Sequence, residues 1–334
     1  MAEGSLDAGL FDVVGIGNAI VDVLAHAEEG FLAQHGLNKG TMTLIDAERA
    51  TALYGAMGPG IEVSGGSAAN TIAGLASLGS RAGYIGKLGA DELGRIFRHD
   101  IRANGVAFET PAATSKTPTA RCLIFVTPDA QRTMNTYLGA CIELSPEDID
   151  PAMIGRAKVT YLEGYLWDPP AAKQAFLKAA KIAHEAGREV ALSLSDPFCV
   201  DRHRDEFRDL LRDHVDILFA NEAEICSLWQ VESFDEALAK TRGLCETAAL
   251  TQSAKGSLVL WGQETHMIEA APVARVVDTT GAGDLYAAGF LHGYCRGLPP
   301  TDCGRYASLA AAEAISHFGA RPERPLAQLL TTDF

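Results

Sequence analysis

Short, almost wholly apolar runs recur through the second half of the chain, at residues 159–162, 189–194, 217–220, 248–251 and 257–261. Between most of them lie segments whose apolar positions return every three or four residues, as at 171–186 and 234–244. Runs this short read as strands buried on both faces, and the longer spacing reads as amphipathic helix. Strands alternating with helices predict parallel βαβ units, because each crossover helix must lie over one face of the sheet. The alanine-rich stretch 283–318 reads as long helices.

Before about residue 140 the pattern differs. Residues 11–17 form an apolar strand that runs into Asn18 and Asp22, and 41–45 form a short alternating strand. Residues 63–70 lead into a helical stretch at 71–78. The β-rich arms 121–127 and 133–137 flank a turn at 128–132, which is a hairpin signal. The expectation is one α/β domain over residues 10–330. Its core is a doubly wound, mostly parallel sheet flanked by helices. A small β-sheet lid comes from strands within about 24–64 and 116–140.

Charge narrows the partners. Among 334 residues, 28 Lys and Arg stand against 43 Asp and Glu, a formal net charge of −15. Such a surface repels a phosphate backbone, so no nucleic-acid partner is expected. A small anion remains possible, because backbone N–H groups bind phosphate without basic side chains. The seven cysteines show no zinc-ligand spacing and read as reduced thiols of a cytoplasmic protein. The acidic start, MAEGSLDAGLFD, lacks the regions of a signal peptide. No apolar window is long enough for a membrane span, so no membrane partner is expected. Gly15 and Gly17 begin a dinucleotide fingerprint that Ile20 leaves incomplete, and no GxxxxGK[ST] occurs. An oxidoreductase and a P-loop kinase are therefore both disfavoured.

The sharpest chemical feature is Val277-Asp-Thr-Thr-Gly-Ala-Gly-Asp284, where a strand gives way to a helix. Gly281, Ala282 and Gly283 would present successive N–H groups at a positive helix end, a site for developing phosphate charge. Asp284, in the first helical turn, could then accept the proton of an attacking hydroxyl. Taken alone, the same residues also describe a glycine turn with a first-turn acid.

This segment closely resembles the second signature of the ribokinase-like (PfkB) sugar and nucleoside kinases, and the resemblance runs from about Val13 to Pro322. Ser64-Gly-Gly-Ser-Ala-Ala-Asn70 resembles the first signature. The likeness implies that Gly65 and Gly66 approach the sugar ring and that Asn70 bonds a sugar hydroxyl. Gly15-Ile-Gly-Asn-Ala-Ile-Val-Asp22 resembles the opening strand, implying that Asn18 and Asp22 bind substrate, with Asp22 accepting two vicinal hydroxyls. Asn221-Glu-Ala-Glu224 resembles the family's NxxE, implying that Asn221 binds ATP and Glu224 holds Mg²⁺ through water. Thr251, Ser253 and Gly256 match the nucleotide turn, and Ser308 stands where relatives carry Asn or His over the adenine. Arg132 aligns with an arginine of the adenosine kinase branch that contacts phosphates when the lid closes. Read by itself, it is an ordinary hairpin residue. Glu163 ends a strand, either lining the cleft or standing as a surface acid. A monovalent cation, K⁺, is implied near Asp278, Thr280, Ala314 and Gly319.

Further likenesses point to the adenosine kinase branch: Gly17-Asn18 before Asp22, Leu192-Ser-Leu-Ser-Asp-Pro-Phe198, and Val215-Asp-Ile-Leu-Phe-Ala-Asn-Glu222. Ser193 and Asp196 depart from the branch pattern, which bears on base specificity and not on phosphoryl transfer. The activity implied is ATP-dependent phosphorylation of a primary hydroxyl, adenosine to AMP in purine salvage. Alternatives are a PfkB sugar kinase acting on ribose, fructose or another nucleoside, and a non-catalytic nucleoside sensor. A second copy of the chain, pairing through the lid strands, is the one macromolecular partner expected.

Overall fold

Two sheets built from thirteen strands organise the described residues, 10–129 and 131–331 of the computed structural model. The acidic start at residues 1–9 and Ala130 of the hairpin turn lie outside them. In chain order the strands are β1 Phe11–Ile16, β2 Ile20–His26, β3 Met42–Leu44, β4 Ile61–Gly65, β5 Ala82–Ile85, β6 Ala120–Val126 and β7 Arg132–Tyr137. They continue with β8 Ala157–Glu163, β9 Glu189–Ser193, β10 Ile217–Asn221, β11 Thr247–Thr251, β12 Ser257–Trp261 and β13 Glu264–Ile268.

The large sheet runs β13-β12-β11-β10-β9-β8-β1-β5. From β5 to β11 every pairing is parallel, while β11–β12 and β12–β13 are antiparallel. Strand side chains alternate between faces, and here both faces are dry. Val13, Val159, Tyr161, Ile217 and Phe219 join the core under the helices Ser67–Ser77, Ala282–Tyr294 and Pro300–Ala314. Val14, Leu162, Leu192, Leu218 and Leu250 face the other core, under Pro170–Glu185, Pro197–His214 and Glu222–Trp229. This is the ribokinase-like α/β fold, with helices on both faces of a mixed, mostly parallel sheet.

The small sheet runs β3-β7-β6-β2-β4. Its strands begin at Ile20, ahead of the expected residue 24, because β2 follows β1 after only Gly17, Asn18 and Ala19. The chain thus leaves the large sheet at Asn18 and returns at Gly66, so both crossings fall at the mouth between the sheets. β6 and β7 pair antiparallel as a hairpin. The alanine-rich region is two helices, Ala282–Tyr294 and Pro300–Ala314, broken where Gly297 and Pro299 end one and start the next. The helix Pro197–His214 buries Cys199, Val200, Phe207, Leu210 and Leu211 along one stripe between its charges. Among the described residues, no helix is long and apolar enough to cross a membrane.

Candidate active site

The parallel strands β1, β8, β9, β10 and β11 all end on one edge of the large sheet. The residues at those ends, Asn18, Glu163, Ser193, Asn221 and Thr251, line a cleft of about 650 Å³ beneath the small sheet. Ligands of open parallel sheets bind at this edge, where loops and helix N-termini converge. The opposite wall comes from the lid and is mostly apolar, with Ile20, Met42, Leu44, Met134 and Leu138 beside Asp22, Cys122 and Thr136.

The floor is the loop 279–283. Gly281 is the N-cap of the helix Ala282–Tyr294 at φ 77°, and a Cβ there would lie 2.7 Å from Ala320. Only glycine takes this left-handed turn against the neighbouring backbone without strain. At Gly283 a Cβ would meet nothing within 4 Å, so that face of the turn opens into the cleft. Asp284, in the first turn, accepts from Ser67 Oγ at 2.7 Å and from Asn70 Nδ2 at 3.0 Å. Both donors lie on the helix Ser67–Ser77. Gly66 at φ 94° lets this helix start against the Asn18 carbonyl, leaving Ser67 free to reach Asp284 instead of capping its own helix.

The acids lining the cleft are withdrawn from water. Glu163, 1% exposed, accepts from Asn18 Nδ2 at 2.7 Å, Asn18 N at 3.3 Å and Ala68 N at 2.8 Å, so it is a buried bracket and not a surface acid. The Asp22 carboxylate lies directly over Gly65. Burial pushes Asp22, Glu163 and Glu224 up to about 7 and Asp284 up to about 6. Arg321 and Arg132 pull Asp22 down, and the hydrogen bonds to Glu163 and Asp284 pull those groups down, without offsetting burial.

A folded pKa above the unfolded value means that the folded protein holds more protons between the two, so stability falls as pH rises through that interval. His292, pushed down to about 4 by burial, works in the opposite sense below its ordinary titration range. The four raised carboxyls outweigh the single histidine, so the ligand-free protein is expected to melt at lower temperature as pH is raised from about 5 to about 7 at fixed salt. A thermal scan across that window checks this, and a flat or rising Tm contradicts it.

Residues 60–326 match the model of the pfkB family of carbohydrate kinases. The chain belongs to this family. Of solved structures, adenosine kinase from Sinorhizobium meliloti is 53% identical, with TM-score 0.90 over 96% of this chain and 99% of that one. A probable sugar kinase from Rhizobium etli is 52% identical, with TM-score 0.90 over 96% and 97%. Aminoimidazole riboside kinase of Salmonella typhimurium is 31% identical over 78% of this chain and 81% of its own. This pfkB kinase is accordingly a phosphotransferase acting on a hydroxyl group, and the family implies ATP as its co-substrate.

In this pfkB kinase Arg132 reaches from the lid to the floor loop. Its Nη1 donates to Thr280 Oγ1 at 2.9 Å, its Nη2 pairs with Asp278, and the guanidinium lies 4.2 Å from the Phe318 ring centroid. Arg132 is no free surface residue, since its side chain is 10% exposed. Asp278 also accepts from Thr280 N at 3.0 Å, Thr280 Oγ1 at 2.9 Å and Gly319 N at 2.9 Å. A carboxylate offers about four acceptor positions, and all are taken. The Asp278 carboxylate therefore has no acceptor position left for the expected K⁺, and no step is assigned to that ion.

Asn221 and Glu224 form a reciprocal cap: Glu224 N donates to Asn221 Oδ1 at 2.9 Å, and Asn221 N and Nδ2 donate back at 3.0 and 2.5 Å. Each Glu224 oxygen keeps a lone pair and the side chain lines the cleft, which fits Mg²⁺ held through water but no direct cage. Among the described residues, no cluster of three or more His, Cys, Asp or Glu forms a metal site.

The expected nucleotide residues divide. Thr251 lines the cleft, whereas Ser253 and Gly256 belong to the adjoining turn, in which Gly256 N donates to Ser253 O at 3.1 Å. Ser308 Oγ is spent on backbone, accepting from Ala271 N at 2.7 Å and donating to Glu269 O at 3.1 Å; it is outside the cleft lining. Ser67 lies within a signature motif, but at the start of a helix its residue type signals a cap and not a partner for Asp284. Tyr165 and Phe198 also line the cleft. Ser195, at φ 74° without being glycine, bonds Tyr165 N and Tyr165 Oη. Strain of this kind collects at functional sites, but nothing in a single sequence marks it.

Proposed function

We infer that this enzyme transfers the γ-phosphoryl group of ATP to the 5′-hydroxyl of a nucleoside, adenosine before others, with AMP as product. The observation that carries this is Asp284 held by Ser67 and Asn70 at a positive helix end, facing a cleft whose lid wall is mostly apolar apart from Asp22 and Thr136. A free sugar would satisfy Asp22 and Asn18 yet leave that wall wet. Met42, Leu44 and Phe198 are 42%, 51% and 74% exposed, an apolar surface suited to a flat aromatic base. The likeness to the Sinorhizobium meliloti adenosine kinase supports the same choice.

In this reading the γ-phosphate lies over the N–H groups of Gly281, Ala282 and Gly283, whose preorganised dipoles stabilise the charge of the transition state. Asp284 takes the proton as the acceptor oxygen bonds to phosphorus and the bond to the β-phosphate oxygen breaks, releasing ADP. Gly65, Gly66 and Asn70 shape the sugar end, where Asp22 accepts two vicinal hydroxyls. Mg²⁺, bound through water at Asn221 and Glu224, would neutralise phosphate charge. The lid excludes water and limits ATP hydrolysis. A second copy would pair along β4, one of the two outer lid strands, where Ile61 and Val63 are exposed. The seven free thiols fit a reducing, cytoplasmic setting.

The test is ADP release from Mg·ATP with adenosine, inosine, ribose, fructose or no acceptor. Turnover is expected to be greatest with adenosine. Turnover with a free sugar alone would keep the chemistry and replace the substrate. No turnover with any acceptor, alongside ATP and adenosine each raising Tm, would make the protein a sensor.

A further inference from the structure

Arg321 lies outside every signature motif, yet it sits behind the substrate end of the cleft. Gly319 N donates to Asp278 at 2.9 Å and Ala320 abuts Gly281, so the segment before it is tied to the floor loop. From there the side chain turns inward. Arg321 Nη1 donates to Ser64 Oγ at 2.5 Å, at the end of lid strand β4, and Nε donates to Asn70 Oδ1 at 3.4 Å. Nη2 is buried without a hydrogen-bond partner. The guanidinium also faces the charges of Asp22 and Asp100.

Burying a guanidinium with one nitrogen unsatisfied is costly, so its position calls for a return. The Asn70 amide supplies one. An amide has a donor end and an acceptor end, and the two orientations have nearly the same shape. Only the orientation with Nδ2 towards Asp284 gives the observed 3.0 Å hydrogen bond. The reverse would set an amide oxygen against a carboxylate oxygen. Arg321 offers only donors, so it captures Oδ1 and leaves Nδ2 for Asp284.

We propose that Arg321 is a positioning residue for phosphoryl transfer, acting through Asn70 to hold Asp284 at the attacking hydroxyl. This rests on Asp284 being the base. A residue acting through Asn70 has no effect of its own once that amide is gone, and a double-mutant cycle reads this directly.

Arg321→Met is expected to lower kcat with adenosine by about tenfold to a hundredfold, the effect of a misplaced reacting group, while ATP KM stays within about twofold. In an Asn70→Ala background the same change is expected to cost less than about twofold. Arg321→Lys, which keeps charge and donors, is expected to recover most of kcat. Equal losses in the two backgrounds overturn the proposal, as does an altered ATP KM with kcat intact. Should Arg321→Met fail to fold, Arg321→Gln in both backgrounds runs the same cycle: a loss confined to the Asn70 background supports the proposal, and equal losses overturn it. If Asp284→Ala keeps full activity, the base reading falls first; if it is inactive and the cycle is additive, Arg321 alone falls.

Discussion

Asp284→Ala is expected to lower kcat for adenosine-dependent ADP formation by about 10²–10⁴-fold, the usual contribution of a positioned general base. ATP binding should survive, because the anion site is made of backbone N–H groups in the loop ending at Gly283. Asp284→Asn is the sharper variant. It still accepts from Ser67 Oγ, as the carboxylate does at 2.7 Å, but it cannot take a proton. Its amide nitrogen would face Asn70 Nδ2, so a structural role alone predicts a lower Tm, whereas a base predicts a kcat lost by orders of magnitude at temperatures where the variant is still folded. The pH profile carries the same sign. Burial raises Asp284 to about 6 and the base form is the ionised one, so wild-type kcat should fall as pH drops below about 6. Full activity of Asp284→Asn, or a kcat that rises on acidification, contradicts the assignment.

The second large effect is expected at Arg132. Its guanidinium is the lid's cation at the floor loop, already bonded to Thr280 next to the glycine turn. Losing a preorganised donor beside a transferring phosphoryl group typically costs about 10²–10³ in kcat, and Arg132→Ala is expected to fall in that range. It also strips the counter-ion from Asp278, whose side chain is 5% exposed, so Tm should fall as well. Adding Asp278→Asn separates the two consequences, because it removes the stranded charge without replacing the guanidinium. Stability should return in the double variant and kcat should not. Recovery of both would make Arg132 a structural brace only.

The legible parts of this enzyme are those set by local chemistry. Parallel strands covered on both faces must be apolar throughout, which is why β8 to β11 stand out as runs. A helix that begins on left-handed Gly281 carries its signal in a few adjacent residues. The lid is harder to read: β2 carries Asp22 towards the cleft in mid-strand and β4 is an exposed edge, so neither shows a long apolar run. On the large sheet, the edge strand β13 is mostly exposed and is equally hidden.

By itself, the sequence determined an α/β chain with helices on both faces of a mostly parallel sheet, a glycine turn at a helix N-terminus, and an acid in the first turn of that helix. The tertiary structure decided which groups meet that acid and in what protonation state. Ser67 and Asn70 reach Asp284 across more than 200 positions of chain, Arg321 reaches Asn70 across 251, and Asn18 reaches Glu163 across 145. Arg132 is legible as a hairpin arginine, but its pairing with Asp278 depends on how the lid sits over the floor loop. The physical reason is range. Backbone preference and burial pattern act over a few residues and leave a trace in the letters. Hydrogen-bond partners and desolvation depend on what the fold brings from elsewhere, and they turn ordinary carboxylates into groups that titrate near neutrality.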